Sequence, residues 1–139
     1  MYLIRIRREI WDVLVVSADG EGAQVLDFLF MRISSESMAR KMLATLREHV
    51  PVEGPPIHNK KKASHLRDHI SELKNGPKRG AKIRVLYFRD DKSIVCTEAL
   101  VKDTKMVPPI AIDRAVRARE QYFKDKARDR LVVTEMEDC

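Results

Sequence analysis

The stretch ISELKNGPKRGAKIRVLYFRDDKSIVCTEALV, residues 70–101, decides how the rest of the chain is read. Residues 70–74 alternate apolar and polar side chains, the period of a half-buried strand. Asn75-Gly76-Pro77-Lys78-Arg79-Gly80 follows, a run of turn formers. Residues 83–88 are rich in β-formers, Arg89-Asp90-Asp91-Lys92 makes a tight connection, and residues 93–101 read as another strand. Strands joined by such short turns make an antiparallel meander.

Working outward, the chain starts with alternation: Ile4 and Ile6 against Arg5 and Arg7, then Trp11, Val13 and Val15. This predicts a strand, interrupted near Arg8-Glu9 and closed by Ala18-Asp19-Gly20. Val25, Leu26, Leu29, Phe30 and Ile33 then recur at helical spacing. Ser34-Ser35 can cap a second helix, whose stripe is Met38, Ala39, Met42, Leu43, Leu46 and Val50 and which must stop before Pro51. Past the meander, residues 102–107 read as polar loop and Pro108-Pro109 as a helix start. Ile112, Ala115, Val116, Arg119 and Phe123 give that helix its inner face. Leu131-Val132-Val133 is a late strand or a partner-binding tail, and Glu135-Met136-Glu137-Asp138 is expected to fray. The order β-α-α-β-β-β-α predicts an α+β sandwich, with helices on one face of a small, mostly antiparallel sheet. Over 139 residues, with no linker or repeat, one domain is the default, residues 129–139 forming an extended or frayed tail.

Charge is distributed unevenly. The formal net charge is +6, yet residues 58–92 hold eleven Lys and Arg against four Asp and Glu. The remainder is close to neutral, so one central quarter of the chain carries the excess. A polyanion is the natural partner for such a segment, and a solvated basic face its alternative. No apolar run approaches the length needed to span a bilayer, and MYLIRIRREIW lacks the apolar core of a signal peptide. Cys96 lies in an apolar run and Cys139 is last, which makes neither a disulfide framework nor a metal-binding pair. A cytoplasmic protein without membrane contact is expected.

Among the four histidines only His65 and His69 have ligand-like spacing, and Lys60-Lys61-Lys62 nearby would repel a cation. No metal and no cofactor is expected, and no phosphate-binding glycine loop or serine elbow occurs. What is left is a set of cations. Lys74 ends the first meander strand, Arg84 sits in the second, and Lys102 and Lys105 follow the last. Alternation puts Lys74 and Arg84 on the solvent face, with Leu73, Ile83 and Val85 turned to the helices. Such a cluster can hold a phosphate backbone or neutralise a phosphodiester transition state. A lysine crowded by other cations can also serve as a base. A merely solvated sheet face is the alternative.

The series HLRDHISELK (65–74), IRVLYF (83–88), IVCTEALVKDTKMVP (94–108), Arg114-Ala115 and Tyr122 resembles the HigB-like, phage-derived branch of the RelE/ParE toxin superfamily. The resemblance implies a RelE-like, microbial-ribonuclease-like sandwich: two N-terminal helices and a C-terminal helix packed on the sheet. It implies the toxin of a type II toxin-antitoxin system, a metal-independent endoribonuclease that cuts mRNA on the ribosome. Its partners would be RNA and a helix-turn-helix antitoxin, with a homodimer also compatible. By position, Lys74, Arg84, Glu98, Lys102 and Lys105 would form the catalytic set. Lys60, Lys61, Lys62, His65, Arg67 and Lys82 would bind RNA. The chain departs from the pattern at Glu98, where relatives commonly show histidine, and at Asp103, where a second lysine is expected. Glu98 is then either a base or a structural partner of Arg84 or Lys102. The other reading is a non-catalytic basic module on the same fold, a degenerate toxin or a ParE-like inhibitor of a protein target such as a topoisomerase.

Overall fold

The computed structural model describes residues 1–32, 36–77, 79–102 and 106–136. Two strands open the chain, β1 (Tyr2–Arg8) and β2 (Asp12–Ser17), and they pair antiparallel. The interruption near Arg8-Glu9 is therefore a hairpin turn, in which the Glu9 N–H donates to the Trp11 carbonyl at 3.0 Å. Helix α1 (Gln24–Asp27) widens into π-type turns over Phe28–Arg32. Helix α2 (Glu36–Ala44) widens likewise over Thr45–His49 and continues as α3 (Val50–Glu53). The second helix thus does not stop before Pro51. Its wide turn carries the Val50 N–H back to the Thr45 carbonyl, five residues earlier, and this break from the regular four-residue ladder is where Pro51, with no N–H to donate, is taken into the helix. Ile33 and the Ser34-Ser35 cap lie outside the described residues.

The meander has one strand more than its periodicity shows: β3 (Ala63–Arg67), β4 (Ile70–Asn75), β5 (Lys82–Asp90) and β6 (Ser93–Lys102). Only Ala63 of β3 is fully buried, so this strand has no apolar alternation to read. Helix α4 (Pro109–Ala127) starts at the proline pair, and β7 (Val132–Glu135) comes last. All seven strands join one sheet in the order β3-β4-β5-β6-β2-β1-β7. Neighbours are antiparallel except at two joins, β2–β6 and β1–β7, which are parallel. Glu135 and Met136 do not fray: Glu135 pairs with Arg5, and the Met136 N–H donates to the Arg5 carbonyl at 2.8 Å. Glu137 and Asp138 lie outside the described residues.

The sheet is covered on both faces rather than one. Val13, Val15, Leu73, Ile83, Val85 and Cys96 pack beneath Val25, Leu29, Met42, Leu46 and Val50 of the N-terminal helices. Leu3, Leu14, Ile70, Leu86, Phe88 and Val95 pack against Ala111, Ala115 and Tyr122 of α4. The cause is visible in β5, which is buried at six consecutive positions and therefore needs an apolar partner on each side. Helix α4 is held there by an edge-to-face contact of Phe88 with Tyr122 at 5.2 Å. Asp90 at the end of β5 also accepts from the Tyr122 hydroxyl at 2.8 Å and from Lys126. Among the described residues no helix is long and apolar enough to cross a membrane.

Candidate functional site

Strand register gathers charge on the α4 face, toward the end of the sheet away from Phe88. Lys74 stands opposite Arg84, and Glu72 opposite Leu86. Across the next pair Lys82 stands opposite Lys102, and Arg84 opposite Leu100. The Lys74 N–H donates to the Lys62 carbonyl at 2.7 Å, which extends the row beyond β4. Lys62, Lys74, Arg84, Lys82 and Lys102 thus come from four segments of the chain onto neighbouring positions.

Arg84 differs from its sequence reading. It is only 5% exposed, because its Nη1 donates to both oxygens of Glu72 at 3.0 and 3.1 Å. Glu72 is itself 2% exposed and also accepts the Ser64 hydroxyl at 2.9 Å. A charge this deep in the sheet is tolerable only when paired and hydrogen-bonded, so Arg84 is a buried anchor and not a solvent-facing cation. The Lys74 ammonium lies 3.9 Å from Glu72 Oε1, with 15% of its side chain exposed. Burial pushes the Lys74 pKa down, Glu72 opposes that, and Arg84 and Lys82 add to it. Lys82 and Lys102 are half-buried and have no ion pair among the described residues. Lys105 and Asp103 lie outside the described residues.

Glu98 pairs with neither Arg84 nor Lys102. It takes a two-point contact from Arg114 on α4, at 2.7 and 2.8 Å, which ties β6 to the helix. Arg67 is similarly engaged, with Asp113 at 2.6 Å and Asp68 at 2.7 Å. Lys60 and Lys61 are exposed in the loop before β3. His65 stands apart: it is in register with Ser71 and through it with Tyr87, which belongs to the opposite face. Its ring nitrogen lies 3.4 Å from the Ser71 hydroxyl. The structure thus unites Lys62, Lys74, Arg84, Lys82 and Lys102 and separates His65 from them. Glu72 and Arg114 are the participants that sequence reasoning missed. Glu72 shares a strand face with Lys74 two positions on, a signal that period two does contain. Among the described residues no three His, Cys, Asp or Glu side chains gather as a metal-binding group.

Fold and site together define an α+β protein whose two-sided sheet carries a lysine-rich end built around a buried Arg–Glu pair. The chain belongs to the family described as Phage derived protein Gp49-like (DUF891), whose model matches residues 30–120. That span includes β3 to β6 and Arg114-Ala115, and leaves out β1, β2 and β7. No curated protein and no solved structure matches the chain.

Proposed function

We propose that this protein is the toxin of a type II toxin-antitoxin pair, a cytoplasmic endoribonuclease that cuts mRNA on the ribosome without a metal. The observation that carries the reading is Lys74, partly desolvated beside the Glu72–Arg84 pair, on the same sheet face as the half-buried lysines 82 and 102. The resemblance of residues 65–122 to HigB-like toxins and membership of a phage-derived family support it.

The chemistry asked of the face is modest. The substrate's 2′-oxygen attacks the adjacent phosphorus, the bond from phosphorus to the 5′-oxygen breaks, and a 2′,3′-cyclic phosphate and a 5′-hydroxyl result. Lys74 in its neutral form takes the 2′-hydroxyl proton, a role that a lowered pKa favours. Lys82 and Lys102 neutralise charge building on the phosphate, and the Lys102 ammonium protonates the leaving oxygen. Lys60, Lys61 and Lys62 hold the flanking backbone, with Lys105 the expected loop cation. Arg84 acts through Glu72 and Lys74 and is a positioning residue. A small helix-turn-helix antitoxin would be the neutralising partner.

Induced expression tests this directly. Growth arrest with mRNA cut inside translated codons is expected, and Lys74→Ala with Lys102→Ala should abolish both. Intact mRNA during arrest would sink the nuclease reading. Two observations favour the alternative of a non-catalytic binding module: Glu98 is occupied by Arg114, and His65 lies across the sheet. Arrest without cleavage that still depends on the lysines is the result that module predicts.

A further inference from the structure

On the opposite face, around the β4–β5 end nearer Asp90, lies a cavity of 270 Å³ that the proposed chemistry does not use. Its walls include Trp11 from the β1–β2 turn, Glu53 and Ile57 from the end of α3 and beyond, His69 from the β3–β4 turn, and Tyr87 and Arg89 of β5. Trp11 is held in place on one side by Gly54, where an added Cβ would come within 2.7 Å of the indole. The Arg89 guanidinium lies 4.8 Å from the indole ring centre. His69 sits at φ +67° after Asp68 at φ +50°, in a two-residue hairpin turn where Asn-Gly would be relaxed. Among the described residues neither the Glu53 carboxylate nor the His69 ring has a hydrogen-bond or ion-pair partner.

We infer that this cavity receives an unpaired guanine base. Aromatic and aliphatic walls suit a flat heterocycle, as single-stranded bases are stacked in RNA-binding proteins. The carboxylate decides which one. Guanine offers two adjacent N–H donors, N1 and N2, to Glu53, and its O6 and N7 accept from Arg89 or His69. Adenine and the pyrimidines lack that donor pair facing a carboxylate. The chain also supplies a path between the faces. From Ile57 it passes through the exposed Lys60 and Lys61 to Lys62, which is bonded to Lys74 on the cationic face. Lysines 60–62 thus run around the β3 edge of the sheet from the cavity to the cluster. An RNA backbone following them would place one base in the cavity while its neighbours cross the lysines. The RNA source of the base rests on the function proposed above; the base recognition itself does not.

Trp11 is the only tryptophan, so its fluorescence reports the cavity alone. The intact protein is titrated with GMP, AMP, UMP and single-stranded hexanucleotides of uridine with or without one guanosine, and mRNA cleavage is assayed on the same preparation. Saturable quenching by GMP over AMP and UMP is expected, with the guanosine hexamer binding about tenfold tighter than GMP. Glu53→Gln should weaken both by about tenfold, and Lys60→Ala/Lys61→Ala/Lys62→Ala only the hexamer. Quenching by GMP in a protein that cuts no mRNA upholds the cavity with free nucleotide as its source, while the nuclease reading falls. Cleavage with no guanine-selective change at Trp11 overturns the cavity and leaves the nuclease reading intact.

Discussion

Arg84 and Glu72 show how one side chain's role depends on another far off in sequence. Glu72→Ala would remove the carboxylate to which Arg84 Nη1 donates twice, at a position where Arg84 is 5% exposed, and should cost about 3 kcal/mol in urea unfolding. Glu72→Leu with Arg84→Met should recover most of that, because apolar groups of similar volume replace a buried pair with little loss. Lys74 should behave differently. If its neutral amine takes the proton, cleavage by the wild type rises with pH through its lowered pKa, whereas Lys74→Arg, always charged, stays slow across the same range. A rate that is flat in pH for the wild type would remove Lys74 as the base. Cys96 makes a simpler case: complete burial pushes its thiol up to about 12, so alkylation in native buffer should spare the Cys96 peptide until the protein is unfolded. Alternation put Lys74 and Arg84 together on one face, as the structure has them, because period is a local property. It took that face for solvent, whereas α4 packs on it and the Lys74 side chain is only 15% exposed. It misplaced Arg84 in solvent because burial of that face depends on Glu72, Ser64 and strand register, none of which a single strand encodes.

Gly54 ends α3 at φ +80° with the Trp11 indole against it, so Gly54→Ala suffers both backbone strain and a clash. A loss of about 2 kcal/mol, read as a lower Tm, is expected. Asp90 links β5 to α4. Burial raises its pKa, but hydrogen bonds from Lys126 and Tyr122 outweigh that and hold it below the usual carboxylate range. A carboxylate depressed on folding stabilises above its unfolded pKa of about 3.9 and loses that contribution as pH falls through its folded value. Asp90→Asn should therefore lower Tm at neutral pH and narrow the gap to wild type in acid. The helices and the three main meander strands were legible from period and turn residues. Strand β3 was not, having so little apolar surface, and neither was the passage through Pro51, which needed a π-type turn. The two-sided sheet was within reach: Val85-Leu86-Tyr87-Phe88 is an unbroken apolar run, the mark of a strand buried on both faces.

At the scale of the whole molecule, the parallel joins β2–β6 and β1–β7 are what no local reading can supply, since they pair segments from opposite halves of the chain. They also set a gradient of protection. In hydrogen exchange the amides of β5 and β6, flanked on both edges, should be slowest, and those of β7, an exposed edge strand, among the fastest of the sheet. Uniform protection across all seven strands would contradict that gradient. The same two joins bear on how the protein is born. Strand β2 gains its second neighbour only when residues 93–96 are available, and β1 only when residues 132–135 are. A ribosome adding about 5–20 residues per second leaves the first hairpin waiting for several seconds. The sheet is then completed at its β1 edge only after residues 132–135 emerge, long after the strands of the lysine face have paired with one another.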